Sequence, residues 1–269
     1  MVPPRKEIPK SEYMSTLERG LRVLRAFDQG HPEMQLSEVA ARTNLSPAVA
    51  RRCLNTLVQL GYVAQYGRRF LLRPEVLTFG QAFTSSMNLE TAVAPYLQTV
   101  RDETGDSSSL TVLSGHDILY LVHIPTNRHI RLGANVGTRF PAFCTSLGRV
   151  LLANLPPEDI KQFFDTAELP QMTQNTLTDP KELQELLVDI KRSGFAATQD
   201  ELDYGILSVA VPLFGPEGQV IAAINCSTST NRVDRDTMIA SRVPILQRAA
   251  KSIETELRRM PFLSHALQG

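Results

Sequence analysis

An α-rich N-terminal domain followed by a larger α+β domain built on an antiparallel sheet is what this sequence predicts. The first observation behind this is length: 269 residues are ample for two cores. The second is charge. Met1 to Ser86 carries an excess of about five basic residues, and the remainder an excess of about five acidic ones, although the net charge is zero. The third is periodicity. Helical spacing dominates the first part, apart from one short hairpin, and most strand-like runs lie beyond residue 106.

The tail MVPPRKEIPKSEY (1–13) has charge and proline but no apolar stretch, so no signal peptide is expected. Leu17, Leu21 and Leu24, with Val23 and Phe27, predict an amphipathic helix over 15–28. Gly30, His31 and Pro32 break it, and Ser37 is expected to cap a short helix in SEVAARTN. A tight turn at Asn44-Leu45 leads to Ser46-Pro47, an N-cap followed by proline at the first helical position. The third helix should then run to Leu60 and stop at Gly61. YVAQYGRRFLL predicts two strands about a Gly67-Arg68-Arg69 tip, and Pro74 opens a further helix.

Three short helices and a hairpin are the layout of a winged helix-turn-helix, whose third helix enters the major groove of DNA. Ala50, Leu54, Leu57 and Val58 form its inward stripe, with Cys53 expected on the core side as a small hydrophobe. Ala48, Arg51, Arg52, Asn55 and Gln59 form the outward one. Arginine suits guanine or phosphate, and the amides suit adenine. Small residues from Ser46 through Pro47 to Ala48 let the helix start approach the phosphate backbone. A solvated helix face would look similar taken alone. It loses to the agreement of helix lengths, the Ser-Pro start, the Gly61 stop and the basic tip. Arg68 and Arg69 sit where a wing meets phosphate or the minor groove.

The second domain opens with a helix from Leu89 to Glu103. SSLTVLSG and DILYLVHI read as strands joined by Gly115-His116-Asp117, and HIRLGANV as a third. Thr145-Ser146 starts the helix LGRVLLANL, and helices are expected at 157–165, 180–193 and 235–259. ILSVAVPLF and QVIAAINCS form a hairpin across Gly215 to Gly218. Apolar heptad spacing in the last helix permits dimerisation, but more often marks the side packed on a sheet. Three separated cysteines without a C-x-x-C pair suit a reducing compartment. No run is long enough to span a membrane, so no membrane partner and a cytoplasmic location are expected.

LERGLRVLRAF, LSEVAARTNLSPAVARRCLNTLVQLGYV and GRRFLLRPEVLTFG resemble the IclR family of bacterial transcription regulators. FCTSLGRVLLA and SGFAATQDELDYGILSVAVPLFGPEGQVIAAINCS resemble its effector domain. SPAVARRCL, VGTRFPAFCTSLGRVLLA and SVAVPLF are similar to the branch that controls protocatechuate and 4-hydroxybenzoate catabolism, the β-ketoadipate pathway.

Between a flexible tail (1–13) and a C-terminal tail (261–269) expected from the residues, the resemblance implies a winged helix-turn-helix (14–73), a linker helix (74–87) and a GAF-like effector domain (88–260). It implies operator DNA and a small carboxylic acid, aromatic or dicarboxylic, as partners. It also implies a dimer or tetramer, and RNA polymerase where the regulator activates. No cofactor, metal or catalytic residue is expected. Thr145 and Ser146, followed by Leu147, open a helix whose free N–H groups suit a carboxylate, although taken alone the hydroxyl pair is better explained by plain capping. The resemblance assigns them to the effector pocket. It adds Asp203, Ile206 and Ser208, then Asn225 and Ser227 on one face of the last strand, with Leu132 and Phe140 as apolar walls. Asn225 stands where some relatives have serine, and Ser208 where some have cysteine. His129 and Arg131 face either the ligand or solvent.

Two other readings stay open on the residues alone. Cys144 with His123 or His129 and Asp203 could form a thiol nucleophile with its base. His116, His123 and His129 could hold a metal, although their spacing does not suit one helix.

Overall fold

The computed structural model describes residues 9, 11–28, 30–126 and 133–267. The chain divides into two compact units, Pro3–Met87 and one built from Asn88–Gly269. Most of the tail 1–13, and the expected pocket or strand residues His129, Arg131 and Leu132, lie outside the described residues.

In the first unit, α1 (Ser15–Arg25), α2 (Leu36–Thr43) and α3 (Pro47–Gln59) pack around Val23, Met34, Val39, Ala50, Leu54 and Phe70. α1 stops at Arg25, three residues before the expected end, and an Asp28–His31 bridge follows. Its leucines do not all point inward. Val23, Ala26 and Phe27 meet the core, while Leu17 and Leu21 are exposed. A strand not foreseen, β1 (Glu33–Gln35), precedes α2. This moves the α2 cap from Ser37 to Gln35, whose backbone N–H donates to Glu38 Oε2 at 2.6 Å. Asn44, at φ 50°, closes α2 in the left-handed conformation that asparagine tolerates. Ser46 caps α3 by accepting from Val49 N at 3.4 Å, with Pro47 at the first position.

β2 (Val63–Tyr66) and β3 (Arg69–Leu72) make the wing, and β1 completes an antiparallel sheet in the order β1-β3-β2. The helix expected from Pro74 starts as a single 3-10 turn and becomes α4 (Leu77–Met87). Tyr62 stacks on Phe79 of α4 at 5.2 Å. A groove of about 550 Å³ runs between α1, α3 and Phe79, lined by Leu17, Leu21, Val49, Cys53 and Leu60 among others. Cys53 is half-buried: it packs against the core of this unit, as expected, and also lines the groove wall.

The second unit is an α+β sandwich. Its strands are β4 (Ser107–Ser114), β5 (Asp117–Ile124), β6 (Arg139–Pro141), β7 (Ala196–Gln199), β8 (Ile206–Phe214) and β9 (Val220–Ser229). Among the described residues they form one antiparallel sheet in the order β6-β5-β4-β9-β8-β7. α5 (Leu89–Thr104) and α9 (Arg235–Arg258) cover one face, with Leu97, Val100, Leu246 and Ile253 buried. α6 (Ser146–Ala153) lies on the other, backed by α8 (Pro180–Ser193), with α7 (Pro157–Thr166) alongside. The apolar stripe of α9 therefore packs inward.

Two expectations change. The described strand after β5 is β6, which pairs Phe140 with Ile118. Residues 133–136 of the expected strand HIRLGANV are not in a strand, and 129–132 lie outside the described residues. The expected tail 261–269 contains α10 (Pro261–Ala266), held by buried Leu263 and Leu267.

Candidate DNA interface and effector site

α3 presents its polar face outward. Ala48, Arg51, Arg52, Asn55 and Gln59 are exposed, as are Ser46 and Pro47 at its start, while Ala50, Leu54 and Leu57 are buried. This is the division that a 3.6-residue period produces. Arg52 stands at the edge of the stripe and also lines the α1–α3 groove. At the wing, Gly67 takes φ 60°, which lets the two-residue turn close. Arg68 is exposed at its tip. Arg69 is the first residue of β3 and pairs with Glu33 of β1 at 3.4 Å, so the two arginines differ.

Several of the residues expected at an effector site lie on the α6 side of the sheet. Antiparallel register puts directly opposed residues on one face. Ser208 opposes Ser227, and Asn225 opposes Ser109, with Thr111 next along β4 opposite Ala223. Ala210 and Ala223 on this face pack in the core beneath α6. Ser146, first residue of α6, reaches down to Ser208 with 2.8 Å between hydroxyls. Asn225 Nδ2 donates to Ser208 Oγ at 3.1 Å, and Ser208 Oγ donates to the Cys226 carbonyl at 3.1 Å. All of these polar side chains are buried.

The remaining residues are placed differently. Thr145 is the N-cap of α6: its Oγ1 accepts from Gly148 N at 3.1 Å and lies 3.2 Å from the Pro141 carbonyl. Leu147 is buried in the apolar core. Phe140 is half-buried and meets Tyr120 edge to face at 5.7 Å. Ile206 opens β8 on the same face as Ser208. Asp203 is exposed, and its Oδ1 accepts from Tyr204 N at 2.8 Å, so the structure does not bring it into the Ser208 network. The buried acid of that loop is Glu201, held by a two-pronged ion pair to Arg149 of α6.

Sequence reading missed Ser109, Thr111, Tyr120 and the Arg149–Glu201 pair. A signal for the first two was present: hydroxyl residues alternate with Leu110 and Val112 along β4. His123, considered only as a base or ligand, lies 2.9 Å from Ser109 Oγ through Nδ1. His116 meets Thr166 Oγ1 at 2.8 Å. Burial pushes the Cys144 thiol up to about 12, so it stays protonated and weakly nucleophilic near neutral pH.

Comparison with known proteins decides the family. The IclR helix-turn-helix model matches residues 16–67, and the model of the C-terminal part of bacterial IclR regulators matches residues 81–255. The chain belongs to the IclR family. It is a DNA-binding transcription regulator and not an enzyme. The Pca regulon regulatory protein of Pseudomonas putida is 37% identical over 90% of this chain and 84% of its own. The p-hydroxybenzoate hydroxylase transcriptional activator of Acinetobacter baylyi is 31% identical, covering 92% and 93%. An IclR homolog from Microbacterium hydrocarbonoxydans, solved in complex with 4-hydroxybenzoate, is 26% identical with a TM-score of 0.72, covering 91% and 99%. Among the described residues, no helix of this regulator is long and apolar enough to cross a membrane.

Proposed function

We propose that this regulator senses a small aromatic or dicarboxylic acid and controls catabolic genes of the β-ketoadipate type. The observation that carries the reading is the buried polar network of Ser146, Ser208 and Asn225, set in apolar walls under the start of α6. An apolar site with a few convergent polar groups and a helix N-terminus suits an organic acid. Relatives regulate the pca genes and p-hydroxybenzoate hydroxylase, which supports the same chemical class.

DNA is read by Ala48, Arg51, Arg52, Asn55 and Gln59 of α3, with Ser46, Pro47, Arg68 and Arg69 on the phosphate backbone. The protein acts as a dimer, which places two such helices in neighbouring grooves. The exposed apolar residues Leu17, Leu21, Leu60 and Phe79 supply surface for that association. Acid binding changes operator affinity because the acid binds the two DNA-binding states unequally.

A thermal-shift screen with protocatechuate, 4-hydroxybenzoate and β-ketoadipate tests the proposal. A ligand of the folded state raises Tm by mass action. At least one of the three is expected to raise Tm and to change operator affinity in a gel-shift titration. No response to any of them removes the pathway assignment.

A further inference from the structure

Most exposed large apolar side chains of the first unit border the α1–α3 groove, but Tyr66 does not. At 82% it is the most exposed of the large hydrophobic side chains among the described residues. Its side chain makes no hydrogen bond or ring contact with another described residue, whereas Tyr62 stacks on Phe79. The backbone fixes where Tyr66 stands. It is the last residue of β2 and pairs with Arg69, the first of β3, across the two-residue turn Gly67-Arg68. Opposed residues share a face of the sheet. Val63, Phe70 and Met34 take the other face into the core, so Tyr66 and Arg69 share the outer one. Gly67, at φ 60°, supplies the first central position, as in a II′ turn. Gln65 Nε2 donates to the Gly67 carbonyl at 3.0 Å and braces the tip.

An aromatic ring held in water at the end of a braced hairpin keeps apolar area that a partner can cover. Charge identifies the partner. Arg68 is exposed next to the ring and has no ion-pair partner among the described residues, and Arg69 lies on the ring's own face. The stretch 63–73 carries Arg68, Arg69 and Arg73 and no acidic residue. Such a surface fits a polyanion, and proteins that meet the minor groove of DNA combine arginines with apolar side chains. Resting on the wing contact proposed above, we propose that Tyr66 is a further DNA-contacting residue. Its ring packs against deoxyribose at the edge of the minor groove, while Arg68 holds the flanking phosphate. Tyrosine has two side-chain torsions to freeze, so the contact loses little entropy. The ring carries no charge and releases no counterion. Its share of the affinity is therefore independent of salt, unlike that of the arginine.

The chain has no tryptophan, so Tyr66→Trp in the full-length protein puts a single indole at the wing. The DNA probe is a duplex selected by the wild-type protein from a random-sequence pool. That duplex should shield the indole from acrylamide quenching, and unchanged quenching overturns the proposal. Tyr66→Ala should weaken binding of the duplex at least about tenfold. The slope of log K against log salt should stay as in the wild type. Tyr66→Phe, which keeps the ring, should bind within about threefold of the wild type. The Tm of Tyr66→Ala should also be unchanged, because the side chain has no internal partner, and this separates a lost contact from a lost fold. Wild-type affinity in Tyr66→Ala overturns the proposal. So does a Tyr66→Phe protein that loses as much as Tyr66→Ala, since the ring is then not the contact. A Tyr66→Ala loss that tracks a change in sedimentation overturns it too, by placing the ring against a second copy. Arg68→Ala, run alongside, keeps the two readings apart. An unchanged salt slope there removes the wing contact itself, while a lowered slope with intact binding by Tyr66→Ala removes only the role of Tyr66.

Discussion

Two polar surfaces in this regulator behave in opposite ways. On α3, Arg51, Asn55 and Gln59 stand in solvent and make no side-chain hydrogen bond to another described residue. Under α6, Ser146, Ser208 and Asn225 are buried and bonded to one another. Water serves an exposed donor until DNA displaces it, so the α3 face needs no internal partner. A buried group has no such reserve, and any atom left unpaired costs about 1–3 kcal/mol. The buried surface is therefore legible in how its groups pair, and the exposed one in the residue types it displays.

The contrast can be broken most severely at Gly148. A Cβ there would lie 2.1 Å from the Ala142 carbonyl oxygen, a backbone atom that cannot swing aside. Gly148→Ala should destabilise the second unit by roughly 3 kcal/mol, since overpacking against backbone lies at the upper end of its usual cost. Urea unfolding of the whole chain measures this, and an unchanged midpoint would show that α6 moves freely on the sheet.

Ser208→Val comes next. It strips a partner from both Ser146 and Asn225, and should cost roughly 1–3 kcal/mol and abolish acid-induced stabilisation. Operator binding without acid should survive, and its loss would show that the two polar surfaces are not separable.

On α3, Arg51→Ala or Asn55→Ala should cost about 1–3 kcal/mol on the operator if the residue reads a base. Competition with random-sequence DNA sharpens this, because equal loss on both marks a phosphate contact. At the wing, Arg68→Ala should lower the slope of log K against log salt by about 0.9. Arg69→Ala should lower it less, because Glu33 already holds that guanidinium. Equal slopes for the two would remove the distinction.

The smallest effect is expected at Asp28. His31 donates to its carboxylate, and Arg42 pairs with it at 2.6 Å, so its pKa falls below the ordinary 3.8. A lowered folded pKa stabilises above the unfolded value, and that stability is lost as pH falls through the folded one. Asp28→Asn should therefore cost under about 1 kcal/mol at neutral pH, as exposed pairs do. It should cost nothing in thermal melts run well below pH 3.8.

The helical part of the fold was readable because helix starts carry local chemistry. Ser46-Pro47 marks α3 to the residue, and Asp179 and Asp234 cap α8 and α9 by the same device. Short edge strands were not readable. β1 and β7, of 3 and 4 residues, owe their pairing to neighbours distant in sequence. The site followed the same division. Ser146, Ser208, Asn225 and Ser227 came from the family resemblance together with alternation along β9. Thr111 was hidden, because only the register of β4 against β9 puts it beside Asn225.

β9 keeps two kinds of information on one stretch of chain. Ile224 and Cys226 face the helices α5 and α9, while Asn225 and Ser227 face the α6 side. Neighbouring codons thus serve separate ends. On the proposed acid-sensing role, a mutation at 225 or 227 retunes which molecule is recognised while the residues on either side go on maintaining the architecture. On that proposal, a lineage built on this strand can drift from one ligand to another by single steps, each passing through a protein that still folds.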